Sequence, residues 1–179
     1  MSPYQAWPFL SDPAHPFLSA VWAVVIHGVV CLLVVAPIVW RSQHRVLWGA
    51  VAAVGGSLID LDHFVAAGSL SLHAIETLGD RPATHSILFV LFVAVVTFAL
   101  TRRALLAWSL FAVWTAHLLF DAAGGHERFF YPFGTSNGLP WLACPLGTLA
   151  LLGASAVIAR RGAHRRFAAA ARPVPLVAD

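Results

Sequence analysis

The chain has 179 residues, of which 59% are hydrophobic and only 11% charged, with a mean hydropathy of +0.78 and a formal net charge of +3. This balance excludes an ordinary soluble globular domain and indicates one integral membrane domain. The two cysteines, Cys31 and Cys144, lie in apolar segments rather than in a disulfide framework, and no phosphate-binding loop, dinucleotide fingerprint or Cys-x-x-Cys pair is present.

A membrane span needs roughly 20 mainly apolar residues. After an expected outer N-terminal segment, residues 1–16, five windows qualify: about 17–40, 46–66, 83–101, 104–123 and 141–159. The first has no basic residue before Arg41 and outlasts the apolar region of a cleavable signal peptide, so it is expected to be a retained helix. The connections after the first and third windows, "RSQHR" and "TRR", are short and basic. Those after the second and fourth are longer and carry Glu76, Asp80, Arg81, Glu127 and Arg128. Nine of the 11 arginines (41, 45, 102, 103, 160, 161, 165, 166 and 172) fall on one side of the resulting topology. The positive-inside rule then places the N-terminus outside and the C-terminus in the cytoplasm. The expected fold is therefore all-α: an integral membrane helical bundle of about five transmembrane helices, forming one domain over 17–159. Residues 160–179 are expected to be a basic cytoplasmic tail lying on anionic headgroups rather than a nucleic-acid arm. All basic residues are Arg, and Ala and Val abound, a bias that suggests a high-GC prokaryote and hence its inner (plasma) membrane.

Ionisable side chains inside a span cost about 2.5 to 3.5 kcal/mol each near the bilayer centre. Seven occur here: His27 in the first window, Asp60, Asp62 and His63 in the second, His85 in the third, and His117 and Asp121 in the fourth. Counted from the inner arginines at the helical rise, His27, Asp60, His85 and His117 all lie roughly 21 to 26 Å from the inner boundary. Asp62, His63 and Asp121 lie about one turn further out. His15, by the same count, is well outside this layer. Asp60 and His63, three apart, share a helix face, as do His117 and Asp121, four apart. Asp62 points elsewhere unless the chain unwinds or bends near it.

Neutral imidazoles mixed with carboxylates suit a borderline divalent cation, Zn²⁺ first, with Mn²⁺ or Fe²⁺ as alternatives. Seven candidates exceed the needs of one tetrahedral ion. Either two ions or one ion with surrounding orienting carboxylates would use them. The expected direct ligands are His27, Asp60, His85, His117 and Asp121.

The blocks "DLDH", "DRPATHS" and "HLLFD", followed by "GG" and "YPFG", resemble the family of predicted membrane-bound metal-dependent hydrolases, which includes the LexA-binding, inner membrane-associated hydrolase type. The resemblance covers roughly residues 27–134. Asp60, Asp62 and His63 match its first block, Arg81, Thr84, His85 and Ser86 its second, and His117 and Asp121 its third. One position departs: the first His of the second block is Asp80 here. Family members often carry their early His at the start of the first helix, which favours His15, whereas depth favours His27. The resemblance implies a hydrolase without supplying a substrate.

The mechanism expected is hydrolysis of a phosphoester or lipid-type ester near the outer face by metal-activated water. His63, Asp62 and Asp80 are the candidate acid, base or orienting groups, and Arg81 the candidate for an anionic headgroup. Ser86 is read as a hydroxyl bonded to its own backbone rather than as a nucleophile. The loop 124–141, with Gly and four aromatics, is either a lid or an interfacial anchor. Expected partners are membrane lipids and a lipid-like or phosphorylated substrate, with no nucleic acid, and a homo-oligomer is open. The rival is a metal-ion or proton transport protein using the same cluster. Against it, the inner halves "CLLVVAPIVW", "VLWGAVAAV" and "LFVAVVTFAL" hold no ionisable group.

Overall fold

A computed structural model of the chain describes residues 16–71, 74, 82–123, 129–133, 139–140 and 142–170. In chain order, α1 spans Pro16–Val39, α2 Arg45–Ser57, a single 3₁₀ turn Leu58–Asp60, α3 Leu61–Ala67, α4 Ile87–Thr101, α5 Ala104–Ala123 and α6 Ala143–Ala170. Hydrocarbon offers the backbone no water, so each crossing segment satisfies its own N–H and C=O groups as helix. Among the described residues, Val21–Val39, Arg45–Ala67, Ala104–Ala122 and Ala143–Gly162 are long and apolar enough to cross a membrane. The all-α membrane bundle expected from composition is the fold.

The third expected window is the exception in length. α4 has only 15 residues, about 22 Å of helix, because residues 83–86 form a turn instead of its first helical turn. α6 departs in the other direction and continues as helix through Ala170, past Arg160 and Arg161.

α5 is the central element. It packs on α1, α2, α4 and α6, and 50% of its spanning window is buried in the bundle, against 17% to 28% for the other spans. Cys31 and Val34 of α1 and Ala112, Ala116 and Leu118 of α5 are fully buried in the core. Small residues let the backbones approach, as in membrane helix packing generally. A Cβ on Gly56 of α2 would lie 2.3 Å from Cys31 Sγ. Polar clips tie the helices to one another: Trp114 Nε1 donates to the Gly55 carbonyl at 3.0 Å, and Trp108 Nε1 to Ser155 Oγ at 3.0 Å. The outward faces carry exposed Val46, Val65, Leu91, Phe92 and Leu100, as lipid contact requires.

Candidate metal centre

The second span delivers its acidic residues through a change of helix type. α2 ends at Ser57, three residues follow as 3₁₀ helix, and α3 resumes at Leu61. A 3₁₀ step turns the chain about 120° per residue instead of about 100°. This bend gives Asp62 a route into the cluster that a regular helix denies it. Asp60 and Asp62 then reach the same imidazole from opposite edges: Asp60 Oδ1 is 3.4 Å from His85 Nε2, and Asp62 Oδ2 is 2.9 Å from His85 Nδ1.

His85 arrives on irregular backbone, which membrane depth tolerates only where its polar groups are satisfied. Here they are. The His85 N–H donates to Pro82 O at 2.9 Å, and the Ile87 N–H to Phe129 O at 3.0 Å. Ser86 is the N-cap of α4: its hydroxyl accepts from the Phe89 N–H at 3.3 Å and donates to Ala83 O at 2.9 Å. That hydroxyl is committed to its own backbone, as the sequence suggested. The same turn places Thr84, whose hydroxyl donates to Asp62 Oδ2.

α5 supplies His117 and Asp121 from one face, four residues apart, with side chains 0% and 4% exposed. His117 Nε2 lies 3.1 Å from Asp121 Oδ2 and 3.2 Å from Asp60 Oδ1. Neither approach has hydrogen-bond geometry, and Nδ1 of His117 likewise has no hydrogen-bond partner among the described residues. The Val113 carbonyl one turn below accepts instead from the Cys31 thiol at 3.3 Å.

One ligand atom from each of Asp60, His85, His117 and Asp121 lies within 4.8 Å of all the others. Two carboxylate oxygens facing imidazole nitrogens in a buried space need positive charge beside them, which either protons on the imidazoles or a cation among the four side chains would supply. The donor set, two nitrogens and two oxygens, is one that Zn²⁺ accepts. A second group, Asp62, His63 and His85, shares His85 with the first and also lies within 4.8 Å. In it His63 Nδ1 is 2.9 Å from Asp62 Oδ1. Asp60 and Asp62 are the partly exposed members of the cluster, with side chains 33% and 20% exposed. Those of His63, His85 and Asp121 are nearly or fully buried.

His27 meets this cluster from α1 through the far oxygen of Asp121: Nε2 is 2.9 Å from Oδ1, and Nδ1 is 2.8 Å from the Ala23 carbonyl. Its ring stacks on that of His117, centroids 4.1 Å apart. His27 is therefore adjacent to the four-residue group rather than within it. His15, Asp80 and Arg81 lie outside the described residues, as does most of the loop 124–141. The role of Thr84 was missed from the sequence. Its place beside His85 in the block "DRPATHS" is the hint there, since a hydroxyl facing a carboxylate has no spacing signature.

The family profile described as YdjM inner membrane protein matches residues 21–177, a stretch containing all seven ionisable residues of the layer. Among curated proteins, the chain is similar to Transmembrane protein 267 of Xenopus laevis, 38% identical over 101 residues, covering 52% of this chain and 46% of that protein. For Transmembrane protein 267 of Bos taurus the identity is 38% over 95 residues, covering 48% and 43%. For that of Mus musculus it is 33% over 144 residues, covering 75% and 66%. In the first two alignments the chain spans a little under half the length of the relative. No solved structure matches.

Proposed function

The chain belongs to the YdjM inner membrane protein family, and we propose that it is a membrane-embedded, metal-dependent hydrolase acting on a phosphoester or lipid-type substrate at the outer side of a prokaryotic inner membrane. One observation carries the reading: the ligand atoms of Asp60, His85, His117 and Asp121, drawn from three separate segments, converge within 4.8 Å in a mostly buried space. The resemblance to membrane-bound metal-dependent hydrolases rests on these same residues.

When bound, a divalent cation, Zn²⁺ or alternatively Mn²⁺ or Fe²⁺, supplies Lewis acidity and a water acidified toward neutrality. Asp60, His85, His117 and Asp121 would hold it. Asp62 accepts from His85 Nδ1 and so fixes which nitrogen of that ring faces inward, the usual carboxylate–histidine support of a metal ligand. The Thr84 hydroxyl in turn fixes Asp62. His63, paired with Asp62 Oδ1 at 2.9 Å, is the residue best placed to take or return a proton near the half-buried carboxylates. Arg81 and Asp80 follow Asp62 by about 20 residues, immediately before the His85 turn. They are proposed to meet the anionic part of the substrate and to assist as acid or base.

The test is elemental analysis of detergent-purified protein together with a screen of lipid and soluble phosphoesters, comparing wild type with His117→Ala. Wild type is expected to hold a transition metal and hydrolyse at least one substrate class, and the variant to lose both. Equal metal content and activity in the two proteins would overturn the assignment. Metal binding without hydrolysis, but with ion flux into liposomes, would establish the transport alternative instead.

A further inference from the structure

We infer that His27 is a positioning residue of the metal centre and not one of its ligands: it holds Asp121 by a hydrogen bond and His117 by ring stacking. The inference rests on the metal-site reading above. It assigns α1 a task that the sequence, which placed His27 among the direct ligands, did not separate from ligation.

Both ring nitrogens of His27 are engaged. Nδ1 is 2.8 Å from the Ala23 carbonyl one turn back, and a carbonyl only accepts, so Nδ1 carries a hydrogen and donates. Nε2 is 2.9 Å from Asp121 Oδ1, a carboxylate oxygen that also accepts, so Nε2 donates as well and the ring carries a hydrogen on each nitrogen, as an imidazolium paired with Asp121. A metal ligand needs a free lone pair aimed at the ion. Ligation by His27 would have to break one of these two bonds inside a helix interface where its side chain is 5% exposed; His85 Nε2, by contrast, has only a long 3.4 Å contact, to Asp60 Oδ1 of the four-residue group itself.

The carboxylate of Asp121 divides its work in the matching way. Oδ1 faces His27, while Oδ2 faces the cluster, 3.1 Å from His117 Nε2 and 4.0 Å from His85 Nε2. The hydrogen bond on Oδ1 therefore sets which oxygen is offered to an ion. His27 also lies against the His117 ring, centroids 4.1 Å apart and planes 25° apart, and its own ring is wedged edge-on against Phe120 at 4.8 Å. His117 makes no hydrogen bond from Nδ1 among the described residues, so ring packing rather than a hydrogen bond holds its orientation. One residue of α1 thereby fixes both ligands of α5, as Asp62 fixes His85 from the other side.

The experiment uses the full chain in detergent, stripped and titrated with Co²⁺ as a coloured probe, in wild type, His27→Phe, His27→Gln and His85→Ala. Phe keeps a flat ring for stacking but has no donor for Asp121, whereas Gln restores an N–H at about the reach of Nε2. At saturating Co²⁺, His27→Phe is expected to bind as many ions as wild type, with absorption bands unchanged in position and intensity. Its affinity is expected to fall roughly 10- to 100-fold, the usual effect of losing an outer hydrogen bond to a ligand. His27→Gln is expected to recover most of that loss. Bands that shift as they do in His85→Ala, or loss of binding at saturation, would show that His27 is a ligand and overturn the inference. Unchanged affinity in His27→Phe would overturn it as well. If the Phe variant does not purify as a single species, the band positions of His27→Gln answer the ligand question in the same sense. A wild-type chain that binds no Co²⁺ or Zn²⁺ removes the underlying metal-site reading, and this arm is read before any variant.

Discussion

His85 is held between two carboxylates of the second span, Asp60 of the 3₁₀ turn on Nε2 and Asp62 of α3 on Nδ1, and on the proposed reading this ring decides how the cluster divides into ligands and supports. Asp62 accepts from His85 and also from Thr84. Removing the Thr84 hydroxyl while keeping its shape, as in Thr84→Val, leaves Asp62 with one donor fewer and His85 less firmly oriented. Metal affinity is then expected to fall by about tenfold with no change in stoichiometry, measurable by competition with a chromophoric chelator, and Thr84→Ser is expected to retain it. Asp121→Asn, which keeps the side-chain volume but removes a ligand charge, is expected to abolish binding while the protein still elutes as wild type from a sizing column. Much of this site was legible in the residues themselves. An ionisable group in hydrocarbon is conspicuous, and counting from the inner arginines brought His27, Asp60, His85 and His117 to one depth. Spacing along an ideal helix did not show that Asp62 joins them, because the 3₁₀ turn at Leu58–Asp60 has no pattern of its own in an apolar run. Nor does depth distinguish a ligand from a residue that supports one, so the sequence places His27 among the expected ligands and cannot separate the two roles.

At the scale of elements, the fold gives up regular helix where the site needs it. α4 starts at Ile87 instead of near residue 83, and Pro82 to Ser86 form the turn that carries Thr84 and His85. Hydropathy cannot see this, since "ATHSILFV" is apolar enough on average to continue a span, and the break comes from Ser86 capping the helix behind a proline. Ser86→Ala is expected to lower stability by about 0.5 to 2 kcal/mol through the lost cap, read as a lower melting temperature in detergent. Because its hydroxyl serves the backbone and not a substrate, hydrolysis per folded molecule is expected to stay near wild type. A fall of several orders of magnitude would make Ser86 a nucleophile after all. The α1–α2 contact is equally specific. At Gly56 a methyl group would fall 2.3 Å from Cys31 Sγ and 2.8 Å from its Cβ, against a cysteine that is fully buried. Gly56→Ala is therefore expected to cost on the order of 1 to 3 kcal/mol by overpacking, with part of the loss recovered when Cys31→Ala removes the sulfur. The same variant is expected to weaken metal binding, since α1 carries His27.

Across the whole molecule the polar and apolar halves are separated by depth. The inner portions of the first three spans contain no ionisable residue, and arginines crowd the connections at that end, where Arg45 also lies over the Trp40 ring at 5.7 Å. The cluster sits about 21 to 26 Å along the helices from those arginines, in a hydrocarbon core about 30 Å thick, and so close to the opposite face. The resulting prediction concerns sidedness. If the C-terminus is in the cytoplasm, as expected from the arginine distribution, the cluster would lie nearer the outer solution. A membrane-impermeant chelator added to sealed right-side-out vesicles is then expected to withdraw the metal, and the same chelator added to inverted vesicles to leave most of it bound. A C-terminal fluorescent fusion reports orientation in the same preparations. A through-pathway for ions or protons predicts loss from both sides, because a cluster that communicates with the cytoplasm exchanges with a chelator there. Stripping from the cytoplasmic side alone would invert the topology and place the chemistry against the inner leaflet. What makes the outcome decisive is the wall beneath the site: apolar inner halves on α1, α2 and α4 around a core of fully buried Val34, Ala112 and Ala116. A hydrated divalent ion would have to shed its water to cross such a barrier, with no ligand to replace it.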